Sequence, residues 1–377
     1  MLKTKKRDWP VELMRIIGCL IVIGCHTVPG PNNVDGDYSK SRVLLQCLFG
    51  DGVAVFWVIT GFFIFANFDY KKRLKKTASR ILLPYALFTV FIFYFYQFIV
   101  NRVPLADSLS HNANDYVFLL HNAITLNVIP PNSLHLWYVV AYLFLIVVSP
   151  LFYGFAQQTV TNKSVAKWYL ILLFIFLLIN DVTSNQTFGF SHHGLGALGG
   201  SIVLVLYGNI LYTNRQKFIW KGWLVLAPLM FIALGLVRMG IQLSTFSKDP
   251  GNIHILFWYT TFGVINTTLI AAFCFSLSTI ENKFSKITNL LVTIGSYTFS
   301  IYVIHLLILH ILWNRGILPK LMNDIIGFGT PGNLFTNSAY HLSAILIVFF
   351  ISLMSCVILR IFKNVFLVIA YKFLKRH

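Results

Sequence analysis

An all-α, polytopic integral membrane protein with about ten transmembrane helices and both termini cytoplasmic is the fold predicted, on three observations. Hydrophobic residues make up 57% of the 377 residues and charged residues only 11%. Mean hydropathy is +0.72. These are the values of a membrane chain, not a soluble one. Apolar runs of span length then recur along the whole sequence, and Lys and Arg gather in alternate connections between them.

Hydropathy windows place the spans at 11–30, 44–67, 81–100, 134–156, 166–180, 194–212, 222–240, 255–279, 291–313 and 341–362. One set of connections holds most of the cations: the N-terminal tail, 71–80, 163–167, 215–221, 283–286 and the stretch from Arg360. The other set holds only Lys40, Arg42, Arg102, Arg238, Lys248, Arg315 and Lys320. The positive-inside rule puts the first set in the cytoplasm, which requires an even number of spans. The net charge of +18 would suggest nucleic acid in a soluble chain. Its one-sided distribution here points to the membrane instead, and no nucleic acid partner is expected. The cluster KKRLKK at 71–76 reads as a topology signal touching anionic lipid, or as a site for an anionic substrate.

Residues 1–377 are expected to form one membrane domain, with no separate soluble domain after the tenth span. The longest outer loops, 101–133 and 314–340, are polar and too short for one. Lys3, Lys5, Lys6 and Arg7 resemble the start of a signal peptide. The run that follows is span-length, contains Glu12 and Arg15 and lacks a small-residue cleavage site, so it reads as a retained span. The five cysteines (19, 25, 47, 274 and 356) sit in apolar runs without CxxC or zinc spacing, and read as small buried hydrophobes. No metal is expected.

The first span carries the chemistry. Glu12, Arg15 and His26 interrupt an otherwise apolar run, and eleven residues at about 100° each return to within roughly 20° of the same face. Arg15 and His26 thus share a stripe, roughly 16 Å apart along the axis. Ionisable groups in a span mark a functional site by default. Arg15 offers a planar fork for phosphates at the cytoplasmic mouth, or pairs with Glu12. Near the outer face, Asp51 is expected at a depth similar to His26, where it would orient the imidazole, or else sits solvated or capping at a helix end.

Other spans add polar groups. Thr60-Gly61 permits close helix approach or places a hydroxyl at mid-membrane. His135, Trp137 and Tyr138 open the fourth span, where an aromatic belt accounts for the last two. Tyr302 and His305 share a face at i, i+3, although a lone interior histidine is commonly a packing group. GLGALGGS at 194–201 reads as small-residue packing, and His192-His193 is too isolated for a metal site.

Four blocks in order resemble the membrane-bound acyltransferase family 3 proteins, bacterial enzymes that O-acylate extracytoplasmic glycans and related acceptors. VELMRIIGCLIVIGCHT is similar to the family's first-span pattern of a basic residue, ten others and a histidine, here Arg15 and His26. FWVITGFFIF is similar to Phe-Phe-x-x-Ser-Gly-Phe, with Thr60 for Ser. SLHLWYVV is similar to the His-Leu-Trp-Phe block, here His135 to Tyr138. GSYTFSIYVIH is similar to Ser-x-x-Tyr-x-x-His, ending in Tyr302 and His305. RILLPY keeps Arg80 of the family's Arg-x-x-Arg, but Thr77 replaces the first arginine, with Lys75 and Lys76 beside it.

The resemblance implies a cytosolic donor, acetyl-CoA or another acyl-CoA, held by Arg15, Glu12, Arg80, Lys76 and Thr60. It implies His26 as general base or acyl carrier, with Asp51 and His305 in the catalytic set. His135, Trp137 and Tyr302 would contact the acceptor, a cell-surface glycan or lipid-linked sugar. Membrane lipid would be the other partner and the bacterial cytoplasmic membrane the location. The rival is a multispan transporter or flippase of a lipid-linked or anionic substrate, which accounts for buried Arg15 and His26 but not for the ordered blocks. Glycan polymerases carry a large basic outer loop that is missing here, and a membrane scaffold has no use for intramembrane charges.

Overall fold

The structure is a computed structural model that describes residues 7–27, 40–66, 68–95, 134–182, 196–245, 260–283, 285–320 and 334–374. Lys3, Lys5, Lys6, most of both long outer loops, His192, His193 and the start of the glycine-rich stretch lie outside them. Among the described residues no strand occurs. In chain order the helices are α1 (Trp9–Thr27), α2 (Lys40–Phe49), α3 (Gly52–Ile64), α4 (Tyr70–Thr77) and α5 (Leu83–Phe95). A 3-10 turn, Leu134–Leu136, leads into α6 (Trp137–Thr161), followed by α7 (Lys163–Val182), α8 (Gly196–Thr213), α9 (Trp223–Thr245) and α10 (Thr261–Ser276). Last come α11 (Ser285–Gly295), α12 (Thr298–Asn314) and α13 (Leu334–Leu374).

Among the described residues six stretches are long and apolar enough to cross a membrane, or seven if α11 and α12, bent by 61°, form one broken span. They are Trp9–Thr27, Val43–Ile64, Trp137–Thr161, Trp223–Ser244, Thr261–Ile280 and Ser338–Phe362, at the first, second, fourth, seventh, eighth and tenth windows. The other three windows fall on α5, α7 and α8. In lipid every backbone group must be satisfied within the segment, which is why apolar helices are the element used.

The ninth window, 291–313, is predicted as one run, but the chain turns between Gly295 and Thr298. Gly295 lies so close to α1 that a side chain there would meet the Glu12 carboxylate and backbone. A glycine tolerates that approach, and the bend follows from it.

α1 is the axis of the bundle, packed against α2, α3, α10, α11, α12 and α13. It feeds both main apolar cores. Val11, Met14, Ile21 and Val22 join Trp57, Val58 and Leu204 in one; Ile16, Cys19 and Ile23 join Ile301, Leu309 and Val348 in the other. A helix that is apolar on all sides is a buried one. By contrast α7 and α9 leave Leu172, Val225 and Leu229 exposed, as expected of a lipid-facing surface.

α3 and α8 meet through two glycines. A side chain at Gly61 would strike the Val205 carbonyl, and one at Gly208 would strike the Val58 carbonyl. Small residues at such crossings let backbones touch, the main source of attraction between helices in lipid. Four cysteines are buried as expected, but Cys25 is exposed. Arg238, assigned from the sequence to an outer connection, lies inside α9 and is fully buried.

Candidate active site

Three histidines from distant parts of the chain converge. His26 comes from the last turn of α1, His135 from the 3-10 turn before α6, and His305 from α12. Their ring centroids are 5.3 Å apart for His26–His305, 5.0 Å for His135–His305 and 6.4 Å for His26–His135. His135 and His305 are buried, whereas His26 is exposed. His310, partly exposed on α12, is close enough to His26 to act on it electrostatically.

The hydrogen bonds fix what two of these rings present. His135 Nε2 meets the Val303 carbonyl at 3.0 Å, and His305 Nδ1 meets the Tyr302 carbonyl at 2.6 Å. A carbonyl only accepts, so each of those nitrogens carries the proton. The opposite nitrogens, His135 Nδ1 and His305 Nε2, are buried and have no hydrogen-bond partner among the described residues. In a neutral ring each holds a lone pair. Buried polar atoms without partners are rare in native proteins, and each calls for an explanation such as a ligand or water.

Aromatic hydroxyls support the cluster. Tyr302 donates to the His135 backbone carbonyl, tying α12 to the turn that carries His135. The Tyr138 ring meets that of Tyr302 edge-on at 5.6 Å and lies tilted 4.3 Å from that of Trp57, and its hydroxyl lies 3.4 Å from Thr60 Oγ1. Tyr138, assigned to an aromatic belt, is therefore buried among Tyr302, Trp57 and Thr60. Trp137 is half-buried, its ring 6.4 Å from that of Tyr138. Thr60 also bonds back to the Phe56 carbonyl at 2.8 Å.

Toward the other end of α1, Arg15 donates to Glu12 Oε1 at 2.6 Å, with Arg7 3.4 Å from the same oxygen. The Arg15–Glu12 pair named as one alternative is formed. Glu12 is almost fully buried while the Arg15 side chain remains 28% exposed, so its fork can still take a ligand. Lys76 and Arg80 are exposed, Arg80 in the π-helical turn Ala78–Leu82 beyond α4. The structure does not bring either into contact with Arg15.

Asp51 requires a correction. It forms no hydrogen bond or ion pair with His26, is not solvated, and makes no side-chain cap at α3. Its carboxylate is instead held by Arg238, at 2.6 and 3.2 Å, and by Asn266 Nδ2 at 2.7 Å. Arg238 further donates to the Cys47 carbonyl at 2.9 Å and to Thr260 Oγ1 at 3.4 Å. A buried acid needs a cation, and the nearest lies 187 residues away in sequence. The signal available was a lone arginine in the apolar run of the seventh window.

Among the described residues no group of three or more His, Cys, Asp or Glu is placed to hold a metal ion. Compared with known proteins, residues 10–361 match a family model described as an acyltransferase domain. Neither a curated protein nor a solved structure matches the chain.

Proposed function

This chain belongs to acyltransferase family 3, and on that premise we propose that it moves an acyl group, most simply acetyl, from cytosolic acyl-CoA to an acceptor hydroxyl. The acceptor would lie at the outer face of a bacterial cytoplasmic membrane, as a cell-surface glycan or lipid-linked sugar. The observation that carries this reading is the convergence of His26, His135 and His305 at one end of α1, with partly exposed Arg15 toward the other. The two ends are roughly 16 Å apart along the helix, a distance that a pantetheine arm bridges in large part.

In this scheme His26 takes the proton from the acceptor hydroxyl as its oxygen attacks the thioester carbonyl. The C–S bond then breaks, and the departing thiolate recovers the proton from the imidazolium. His135 Nδ1 and His305 Nε2, both open acceptors, orient the hydroxyl or the N–H of His26. Tyr302 holds the backbone of His135 in register. A second route, in which His26 itself carries the acyl group, uses the same side chain. Label retained on the denatured protein would identify it.

The test is transfer by the His26→Ala variant. It should lose transfer and still bind CoA; transfer at the wild-type rate would overturn the assignment. The 61° break between α11 and α12 also suits a transporter, since broken helices line many transport sites. Substrate flux across sealed vesicles without acyl turnover would favour that reading.

A further inference from the structure

Arg73 has no role in the scheme above. It stands on α4 on the side shared with Thr77, while Lys71, Lys72, Lys75 and Lys76 point outward. Its guanidinium lies 5.1 Å from the Phe68 ring, and Nη2 donates to the Phe63 carbonyl at 3.4 Å. Nη1 is buried without a hydrogen bond, and no carboxylate among the described residues pairs with this side chain. Burial pushes the guanidinium below its ordinary value. A half-buried cation with an enclosed open donor is costly until an anion meets it.

A second cation flanks the same residue. The Arg15 guanidinium lies 5.7 Å from the centre of the Phe63 ring. Tyr142 of α6 is within electrostatic range of both arginines. Two planar guanidinium groups from different helices are therefore gathered at Phe63, Arg15 by its ring and Arg73 by its carbonyl. Glu12 occupies part of one; the other donates to the Phe63 carbonyl through Nη2, and its Nη1 has no hydrogen-bond partner among the described residues.

We propose that Arg15 and Arg73 together form a diphosphate-binding site at Phe63. The site rests on the donor reading given above and adds to it a residue and an anion class. Two forks anchored on one residue suit two adjacent phosphates, each fork donating to oxygens of one phosphate. Phe63 is the shared anchor and Tyr142 the shared polar neighbour. The diphosphate of CoA is the occupant proposed; the diphosphate of a lipid-linked sugar carries the same chemistry.

The experiment measures binding of CoA and of inorganic pyrophosphate to the purified full-length protein, wild type against Arg73→Gln and Arg15→Gln. Arg73→Gln should weaken both anions about tenfold or more, the cost of a lost charge-assisted hydrogen bond. Turnover of acetyl-pantetheine, which has no phosphate, should fall far less than turnover of acetyl-CoA. If Arg73→Gln does not fold, Arg73→Lys keeps the charge but not the fork and should show a smaller loss of the same kind. Wild-type CoA affinity in a folded Arg73 variant would overturn the site and leave the donor reading standing. Pyrophosphate bound through Arg73 without CoA binding would keep the site, turn it toward a lipid diphosphate and defeat the donor reading. If neither anion binds the wild type, the site does not exist.

Discussion

Two clusters of polar side chains are buried in this bundle, and they are built differently. In the cluster of Asp51, Arg238 and Asn266, both carboxylate oxygens are engaged and the acid and the guanidinium are fully enclosed. It joins the α2–α3 elbow to α9 and α10, and Thr260 both accepts from Arg238 and caps α10. The histidine cluster leaves two buried nitrogens open and one ring exposed. In the first cluster the acid is fully paired and ties helices together, although Asn266 Oδ1 stays open; in the second the open atoms are imidazole nitrogens beside an exposed ring, where a group from outside can reach. Enclosed charge by itself does not mark chemistry.

Breaking the clamp should have the largest effect on stability. Arg238→Met strands the Asp51 charge in the interior and should cost about 3–5 kcal/mol, read as a large drop in the thermal midpoint of the purified protein. Adding Asp51→Leu should restore much of that loss. A single variant as stable as wild type would mean that the clamp does not secure the fold. His305→Ala should show the opposite split: transfer falls about 100-fold, with a smaller change in thermal midpoint than Arg238→Met. If both variants lost stability and rate in the same proportion, the distinction between the clusters would disappear.

Smaller changes sharpen the same contrast. Tyr302→Phe removes one hydrogen bond to the turn carrying His135, worth about 1 kcal/mol, and should slow transfer several-fold by raising the effective barrier. Thr60→Ser should be the mildest. It keeps the hydroxyl that bonds Phe56 and faces Tyr138, and its effect on stability should stay within about 0.5 kcal/mol. A loss of transfer there as large as in His305→Ala would move Thr60 into the reacting site.

Much of this architecture is legible in the sequence because lipid leaves few options. Span-length apolar runs must be helices, and the periodicity of α1 places Glu12, Arg15 and His26 on one stripe without reference to a partner. Which residues meet across spans is a different matter. His135 and His305 stand out one by one in the sequence, but only the order of blocks shared with a family grouped them with His26 beforehand. Asp51 shows the limit most clearly. Depth alone favours His26 as its neighbour, yet the energetics of a buried carboxylate demand a full cation, and Arg238, near the end of the seventh window, had been counted with the outer connection. Arg73 was hidden among four lysines of a basic cluster, since inward and outward faces of a short helix cannot be weighed until its neighbours are known. The break at Gly295 is a contact effect, set by the proximity of Glu12.

The central claim, acyl transfer at His26, is tested most directly in inverted membrane vesicles supplied with radiolabelled acetyl-CoA. Wild type, His26→Ala and Arg15→Ala are compared for label reaching glycan or lipid-linked acceptor. The account predicts transfer in wild type, none with His26→Ala, and transfer with Arg15→Ala only at raised donor concentration. Undiminished labelling by the His26→Ala protein would contradict it.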